Sequence, residues 1–344
     1  MTLPTVWFVI VAFFWTGFFV LEGFDFGVGA LHKIVGRTDT ERRVAINSIG
    51  PFWDGNEVWL IVAGAAMFAA FPAWYATWLS ALYLGIVMLL VALIARGISI
   101  EWRGKGDRRT WRGGWSLALT AGSIVAPLVL GIALGDLLAG LPIDEDGAFT
   151  GRVWSFFTGF GVWTGLTLVV LCLLHGATFL AIRTTDDLRQ RATRWTGRLG
   201  IVALVMVAVF TVWTAVTAQP GWPAYVLFAV ALLAIVAALW SSRRGTEKAA
   251  FVATALAIAA TVGSLFASLF PNVIVSSTKS DYSLTIAGAA SGDYALTVMT
   301  IIAAIFFPLV LLYQGYTYVV LRRRIGGAPV AGSAVREPQP VAPE

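Results

Sequence analysis

The chain has 344 residues, of which 58% are hydrophobic and only 12% are charged, and its formal net charge is +5. This composition is typical of polytopic membrane proteins and excludes an ordinary soluble domain. No loop is long enough to form a basic nucleic-acid-binding domain, so nucleic acid is excluded as a partner. The single cysteine, Cys172, excludes an intrachain disulfide.

Runs of about 20 apolar residues, the length that crosses roughly 30 Å of hydrocarbon, recur along the chain. They predict an all-α polytopic membrane protein with nine transmembrane helices in a single transmembrane domain, residues 1–325. The predicted spans are 5–30, 52–71, 74–95, 115–138, 154–181, 199–218, 223–241, 249–270 and 295–320. The first is interpreted as a retained helix, because no small-residue cleavage site follows it. Residues 326–344 are rich in Pro, Gly and Ala and predict a disordered cytoplasmic tail.

The basic residues predict the orientation of these spans. All but two of the 24 Lys and Arg residues lie in the odd-numbered loops or after the last span, and the exceptions are Arg152 and Lys279. Arg96 is assigned to loop three, between the third and fourth predicted spans. Because basic residues concentrate in cytoplasmic loops, the N-terminus is expected outside and the C-terminus in the cytoplasm. Anionic lipid headgroups are the expected counter-charges of the loops.

Four acidic residues fall inside the first two predicted spans. Glu22 and Asp25 are three positions apart in LEGFDFG, and Asp54 and Glu57 are three apart in WDGNEVW. Residues at this spacing share one helix face. The two spans are consecutive and antiparallel, so we expect both pairs to lie near each other toward the cytoplasmic side. A carboxylate near the bilayer centre costs about 2.5–3.5 kcal/mol, so a compensating role is expected.

These acids have a structural and a functional interpretation. In the first, they cap helix ends, pair with loop arginines or support packing; in the second, they relay protons, a common role of intramembrane acids. The two interpretations weigh equally for Glu22 and Glu57, whereas the proton relay is favoured for Asp25 and Asp54. Neighbouring glycines permit close helix approach and so favour a shared site. These glycines are Gly23, Gly27, Gly29 and Gly55.

Haem or metal ligation by this chain is not predicted. The two histidines, His32 and His175, belong to no paired-ligand pattern, and no CxxCH, HExxH or paired CxxC motif occurs. A lone intramembrane histidine is more often a hydrogen-bonding helix contact. Trp53 and Trp59 flank the second acid pair, where they either line a quinone or lipid groove or pack in the core. Packing is favoured for each.

Three stretches resemble a known family. They are GFDFGVGAL, GRTDTERRVAINSIGPFWDGNEVWLIVAGAAMFAAFP and SLFPNVIVSSTKSDYSLTIAGAASGDYALTVMT. The chain resembles subunit II of cytochrome bd-type quinol oxidases over about residues 5–325. The resemblance implies a bacterial cell-membrane protein with nine transmembrane helices, arranged as two four-helix bundles plus one peripheral helix.

The resemblance also implies a function. In that family the complex is an enzyme of the translocase class, which oxidises quinol and reduces dioxygen to water. Its subunit I carries a low-spin haem b, a high-spin haem b and haem d, so the chain that resembles subunit II is expected to ligate no cofactor. The aspartate of WDGN lines the family's proton path and corresponds to Asp54, while that of GFDFG corresponds to Asp25. Trp59 corresponds to a position near a bound quinone in some members, and Glu57 stands where others carry glutamine.

Two other classes of function stay open at this point. A proton-coupled secondary transporter also carries intramembrane acids, but it predicts broken helices at matching positions of two halves, which the sequence lacks. A purely structural scaffold subunit fits the missing ligands. The sequence leaves open which quinone is used and whether a small single-helix subunit joins the complex. It also leaves open how far the proton path runs in this chain.

Overall fold

The computed structural model describes residues 2–321 and 323–325, which are almost entirely helical. The helices are α1 (Leu3–Val35), α2 (Asp39–Ile49), α3 (Trp53–Ala70), α4 (Pro72–Ala81), α5 (Tyr83–Trp102), α6 (Arg109–Ala139), α7 (Gly159–Arg183), α8 (Asp186–Ala218), α9 (Trp222–Arg243), α10 (Glu247–Leu269), α11 (Ile286–Ala289) and α12 (Asp293–Val320). Strands β1 (Asn272–Ile274) and β2 (Leu284–Thr285) pair antiparallel between α10 and α11. The predicted tail, residues 326–344, lies outside the described residues.

Within the described residues, eight helices are long and apolar enough to cross a membrane. They are α1, α5, α6, α7, α8, α9, α10 and α12. The remaining predicted span, 52–71, corresponds to α3, which has 18 residues. Asp54, Asn56 and Glu57 in its first turns lower its hydropathy, so α3 does not meet the same criterion. The predicted all-helical membrane fold is confirmed, with eight helices of spanning length and composition.

The third predicted span, 74–95, is wrong in its bounds. Pro72 begins the short helix α4, the helix breaks at Leu82, and α5 begins only at Tyr83. A break of one residue between two apolar segments leaves no trace in hydropathy, because both sides are equally apolar. The assignment of Arg96 to a loop is therefore also wrong. Arg96 lies inside α5, and 0% of its surface is exposed.

Helix α1 lies at the centre of the molecule and packs against α3, α6, α7 and α10. Its crossing with α7 depends on two glycines, since a Cβ atom on Gly27 would lie 2.0 Å from the carbonyl oxygen of Cys172. A Cβ atom on Gly176 of α7 would lie 2.4 Å from the carbonyl carbon of Gly27. Helices in membranes approach this closely only through such small residues. This contact fixes the position of the segment of α1 that carries the acids.

The C-terminal end of α1 and the N-terminal ends of α3, α6, α8 and α10 share one end of the molecule, which we call the basic end. Three ion pairs at this end connect α2 to the segment after α5, α2 to α8, and α8 to α10. They are Arg103–Asp39, Arg191–Glu41 and Arg189–Glu247. Most loops at this end carry Lys and Arg residues, so it corresponds to the side predicted to be cytoplasmic.

Helix α12 lies at the periphery, and hydrogen bonds attach it near both of its ends. Leu296 is the one buried residue within Asp293–Val320. Near the start of α12, the indole Nε1 of Trp7 donates a hydrogen bond to the carbonyl oxygen of Leu296 at 3.3 Å. After its end, the backbone N–H of Ile325 donates to the carbonyl oxygen of Arg183 at 2.7 Å. The middle of α12 therefore exposes most of its apolar surface.

A buried charged cluster between α1, α3 and α5

Asp25 of α1 is fully buried, and its Oδ2 accepts a hydrogen bond from Nδ2 of Asn56 on α3 at 2.7 Å. The same Nδ2 donates to the carbonyl oxygen of Leu21 at 3.0 Å. The Oδ1 of Asn56 accepts from Nε2 of Gln314 at 2.9 Å and from the hydroxyl of Tyr318 at 2.8 Å, both on α12. All four hydrogen-bonding positions of the Asn56 amide are thus used. Through this amide, Asp25 and the backbone of α1 are connected to α3 and α12.

Glu22 lies one helical turn before Asp25 and forms a buried ion pair. Its Oε1 is 2.5 Å from Nη2 of Arg96, and both side chains are fully buried. The Nη1 of Arg96 is 4.0 Å from Oε2 of Glu57, whose side chain is 21% exposed. The guanidinium group also lies 4.8 Å from the ring centroid of Phe26, close enough for a cation–π interaction. We call Glu22, Asp25, Asn56, Glu57 and Arg96 the Asp25 cluster.

The pairing of polar atoms in the Asp25 cluster is incomplete. Within the described part of the chain, Oδ1 of Asp25 and Nε of Arg96 are buried and have no hydrogen-bond partner. Buried polar atoms in native proteins are nearly always paired, either with protein groups or with ordered water. One arginine also faces three carboxyl groups and cannot neutralise them all. The arrangement is therefore suited to binding and releasing a proton among these carboxyl groups.

Glu57 connects the cluster to the surface of the chain. It lines a groove of about 590 Å³ between α3 and α5, whose other lining residues include Trp53, Glu101 and Trp102. Most of the remaining lining residues are apolar. Glu57 is thus the accessible member of the cluster, and Arg96 bridges it to the buried Glu22.

Asp54 does not join the cluster. It lies on the exposed side of the first turn of α3, where a negative charge interacts favourably with the helix dipole. The structure therefore brings Glu22, Asp25 and Glu57 together as expected from the sequence, and leaves Asp54 at the surface of the basic end. The residue of α3 that reaches α1 is Asn56, two positions after Asp54.

Trp59 is buried in an aromatic group and does not line the groove. Its ring centroid lies 6.1, 6.2 and 6.3 Å from those of Phe13, Phe14 and Phe307. It also covers Gly17, where a Cβ atom would lie 2.5 Å from the indole ring. Packing, the interpretation favoured from the sequence, describes these contacts, whereas Trp53 is the tryptophan that lines the groove.

Sequence reasoning missed Arg96, Asn56 and Tyr318 as members or supports of the site. A signal existed for Arg96, because an arginine inside the apolar run LLVALIARGISI requires a buried partner.

A further buried acid, outside the Asp25 cluster, was also missed. Asp136 near the end of α6 accepts a hydrogen bond from the hydroxyl of Thr158 at 2.5 Å, at the opposite end of the molecule from the basic end.

The two histidines make hydrogen bonds between helices and within them. Nε2 of His175 lies 3.2 Å from the carbonyl oxygen of Val20, and Nδ1 lies 2.7 Å from Oγ1 of Thr254. Nδ1 of His32 lies 2.7 Å from the carbonyl oxygen of Gly29. No group of three or more His, Cys, Asp and Glu residues is placed to hold a metal ion in the described ranges. We call His175, Thr178 and Thr254 the His175 cluster.

Fold and site together define a polytopic helical membrane protein with a charged cluster buried between its first helices. A sequence profile described as cytochrome bd terminal oxidase subunit II matches residues 3–321. The chain belongs to this family. The resemblance inferred from the sequence motifs is therefore confirmed, and the chain is a multi-pass protein of the bacterial plasma membrane.

Individual relatives cover nearly the whole chain. It is 40% identical over 328 residues to cytochrome bd ubiquinol oxidase subunit 2 of Bacillus subtilis, with 94% of this chain and 97% of the relative covered. It is 35% identical over 350 residues to cytochrome bd-I ubiquinol oxidase subunit 2 of Escherichia coli, with 91% and 92% covered. A chain of the bd oxidase from Geobacillus thermodenitrificans has the same fold, with a TM-score of 0.75 at 19% identity, covering 94% of this chain and 98% of that one.

Proposed function

We propose that this chain is subunit II of a terminal quinol oxidase and supplies part of the proton-uptake path of the complex. Its curated relatives are named ubiquinol oxidase subunits, which supports quinol as the electron donor. A haem-bearing subunit I is the proposed partner, carrying low-spin haem b, high-spin haem b and haem d. The role of this chain is then to stabilise that subunit and to deliver protons for the reduction of dioxygen to water.

The observation that carries the proton path is the Asp25 cluster. Asp54 at the surface of the basic end is the proposed entry residue, and Glu57 is an auxiliary, half-buried acid that lies beside it on α3. Arg96 connects Glu57 to Glu22, and Asp25 lies one turn further along α1. Charged groups inside a membrane are costly and commonly mark proton routes. Membership of the oxidase family favours this role over that of a proton-coupled transporter.

Substitution of Asp54 tests this path. Asp54→Asn is expected to spare assembly and haem content, because the exposed amide fills the same volume. Turnover is expected to fall, since an amide cannot cycle between protonation states. Asp54→Glu restores a titratable group and should recover part of the rate, while Glu57→Gln should be far milder. The measurement is quinol-driven oxygen consumption of the purified complex, normalised to haem d. Normal turnover in Asp54→Asn would remove Asp54 from the path and leave Asp25 as its main residue.

We also propose that α3 is the ninth transmembrane helix, with the N-terminus outside and the C-terminus in the cytoplasm. Helix packing supports one four-helix bundle of α1, α3, α5 and α6 and a second of α7, α8, α9 and α10, with α12 peripheral. The concentration of basic residues at the basic end supports the orientation.

Single cysteines test this topology, because the native Cys172 is buried and unreactive. Cysteines in place of Thr40, Asp107 and Thr246 should react only with a reagent added from the cytoplasmic side. Cysteines in place of Ala148 and Ser280 should react from outside. A reversed pattern would overturn the proposed orientation, and a pattern that changes part-way along the chain would overturn the nine-span arrangement.

A further inference from the structure

A second cleft, of about 410 Å³, lies at the basic end and does not include any residue of the Asp25 cluster. It is formed by the last turn of α1, the beginning of α2, the segment that follows α5 and the first turns of α6. Five basic residues and two aspartates are among its lining residues. It is therefore strongly positive, and the ion pairs within it determine how much of that charge is left for a ligand.

Two of the five cations are matched by the two aspartates. Asp39 pairs with Arg103 and with Nη1 of Arg112 at 2.8 Å, and Nη2 of Arg112 lies 2.5 Å from Oδ1 of Asp107. Partial burial opposes ionisation of Asp39, but the two guanidinium groups outweigh it and lower the pKa of this carboxyl below its ordinary value. Nε of Arg103 also donates to the hydroxyl of Ser116 at 2.7 Å. These contacts hold the side chains on this side of the cleft in place and make their summed charge nearly zero.

The other three cations have no carboxylate partner. Across residues 2–321 and 323–325, no Asp or Glu oxygen lies within ion-pair distance of Lys33, Arg42 or Arg109. Nε of Arg42 donates to the backbone carbonyl oxygen of Gly36 at 3.0 Å, which orients the side chain without neutralising it. The cleft therefore holds an excess of three positive charges, and such a concave surface attracts an anion.

The surroundings of the cleft place it at the level of the lipid headgroups. Trp102, Trp111 and Trp115 form a group beside it, with ring centroids 5.6 to 6.3 Å apart. Trp102 is 47% exposed and Trp111 is 36% exposed, as expected of tryptophans at a membrane interface. Beyond them, α6 and α5 expose apolar side chains such as Leu117 and Ile98. A ligand with a charged head and apolar chains fits this surface better than a free anion.

We propose that this cleft binds the phosphate of an anionic phospholipid headgroup, with Lys33, Arg42 and Arg109 as its contacts. The acyl chains would lie along the exposed apolar side chains of α5 and α6. Basic pockets between the ends of transmembrane helices are suited to such headgroups, and guanidinium groups bind phosphate through paired hydrogen bonds.

Lipid titration of the delipidated, purified complex tests the proposal, with bound lipid counted by native mass spectrometry. The variant is Lys33→Gln with Arg109→Gln, two exposed side chains whose replacement leaves the packing intact. A basic residue near an anionic headgroup contributes about fivefold in affinity, so the double variant should bind phosphatidylglycerol about thirtyfold more weakly. The matched control is Arg243→Gln with Lys248→Gln, which removes the same charges from the exposed end of α9 and the exposed first turn of α10. It should bind as the wild type does.

Two comparison ligands show whether the cleft binds the headgroup of an anionic lipid or free phosphate. Phosphatidylcholine with the same acyl chains should bind far more weakly than phosphatidylglycerol, and inorganic phosphate should not compete at similar concentration. Equal binding of the two lipids, equal weakening in both double variants, or displacement of the lipid by inorganic phosphate would each overturn the proposal. Loss of the partner subunit from the Lys33→Gln, Arg109→Gln complex would assign the cleft to the subunit interface and overturn it as well.

Discussion

The Asp25 cluster and the His175 cluster are both buried beside α1, but they differ in how completely their polar atoms are paired. Both ring nitrogens of His175 contact oxygen atoms, and the hydroxyls of Thr178 and Thr254 donate to carbonyl oxygens at 2.8 Å. In the Asp25 cluster, buried atoms of Asp25 and Arg96 have no partner within the described residues, and the one cation, Arg96, pairs with two of the three acids.

This difference is the basis for proposing a proton-relay role for the Asp25 cluster and a structural role for the His175 cluster. A network of neutral groups, each within hydrogen-bond distance of a partner, stabilises one arrangement of helices and has no reason to exchange protons. A charged network with unmatched groups costs stability, since buried ion pairs rarely recover their desolvation free energy. Such a cost is retained where charge or protonation must change. The comparison therefore predicts that substitutions in the two clusters will have different consequences.

The largest effect is expected from Arg96→Gln. It leaves the carboxylate of Glu22 buried without a counter-charge, which costs about 3–5 kcal/mol in stability. The amount of assembled complex in the membrane, measured from its haem content, should fall strongly. Combining it with Glu22→Gln should restore much of the complex, because neither buried charge remains. A normal amount of complex in Arg96→Gln alone would show that this ion pair does not hold the helices together.

The next largest effect is expected from Asp25→Asn, on turnover instead of assembly. The amide keeps the shape and the contact with Asn56 but cannot carry a proton, so oxygen consumption should fall about a hundredfold, within the range for loss of an acid–base group. Haem spectra and subunit content of the purified complex should stay normal. The matched control is Asp136→Asn, a buried acid outside the cluster that forms no ion pair within the described residues, and this variant should keep normal turnover. Equal losses in both variants would refute a special role of Asp25.

A smaller effect is expected from Tyr318→Phe. It removes one of the two hydrogen bonds that Oδ1 of Asn56 accepts, while Gln314 still donates the other. The loss of one such bond costs about 1 kcal/mol. The thermal midpoint of the complex should fall slightly, and turnover should fall less than in Asp25→Asn. Tyr313→Phe, which removes an exposed hydroxyl of the same helix, is the control and should change neither quantity.

The smallest effect is expected from replacing both His32 and His175 with glutamine. Glutamine keeps hydrogen-bonding capacity but cannot act as an imidazole ligand. Reduced-minus-oxidised spectra of the complex should therefore keep every haem band. Disappearance of one haem band, with both subunits present in normal amounts, would show that this chain ligates a haem.

Much of the fold could be predicted because long apolar runs separated by basic loops leave few arrangements in a membrane. What hydropathy could not reveal was the break at Leu82. That single break moves the start of α5 and carries Arg96 from a loop into the core. The error arose because apolar residues on both sides of the break give the same signal as one continuous helix.

Only part of the site could be predicted, because hydropathy shows where charges lie but not which residues they contact. Acids in apolar runs stand out, so Glu22, Asp25 and Glu57 could be found, but the helix face that meets α1 is set by packing. Packing turns Asn56 inward and leaves Asp54 at the surface. The contact of Asn56 with Tyr318 joins residues 262 positions apart, and no local pattern encodes it. Charge in an apolar run is thus readable from sequence, while its partners are not.

The peripheral position of α12 determines which parts of the structure can be completed before synthesis of the chain ends. The ribosome releases α1 first and α12 last, and both contact the Asn56 amide. The helices from α1 to α10 can complete their shared core during synthesis, because α12 adds little buried surface to it. The amide carbonyl of Asn56, in contrast, acquires both its donors only after residue 318 has entered the membrane. A nascent chain that stops before α12 would therefore be packed but would carry an unfinished site.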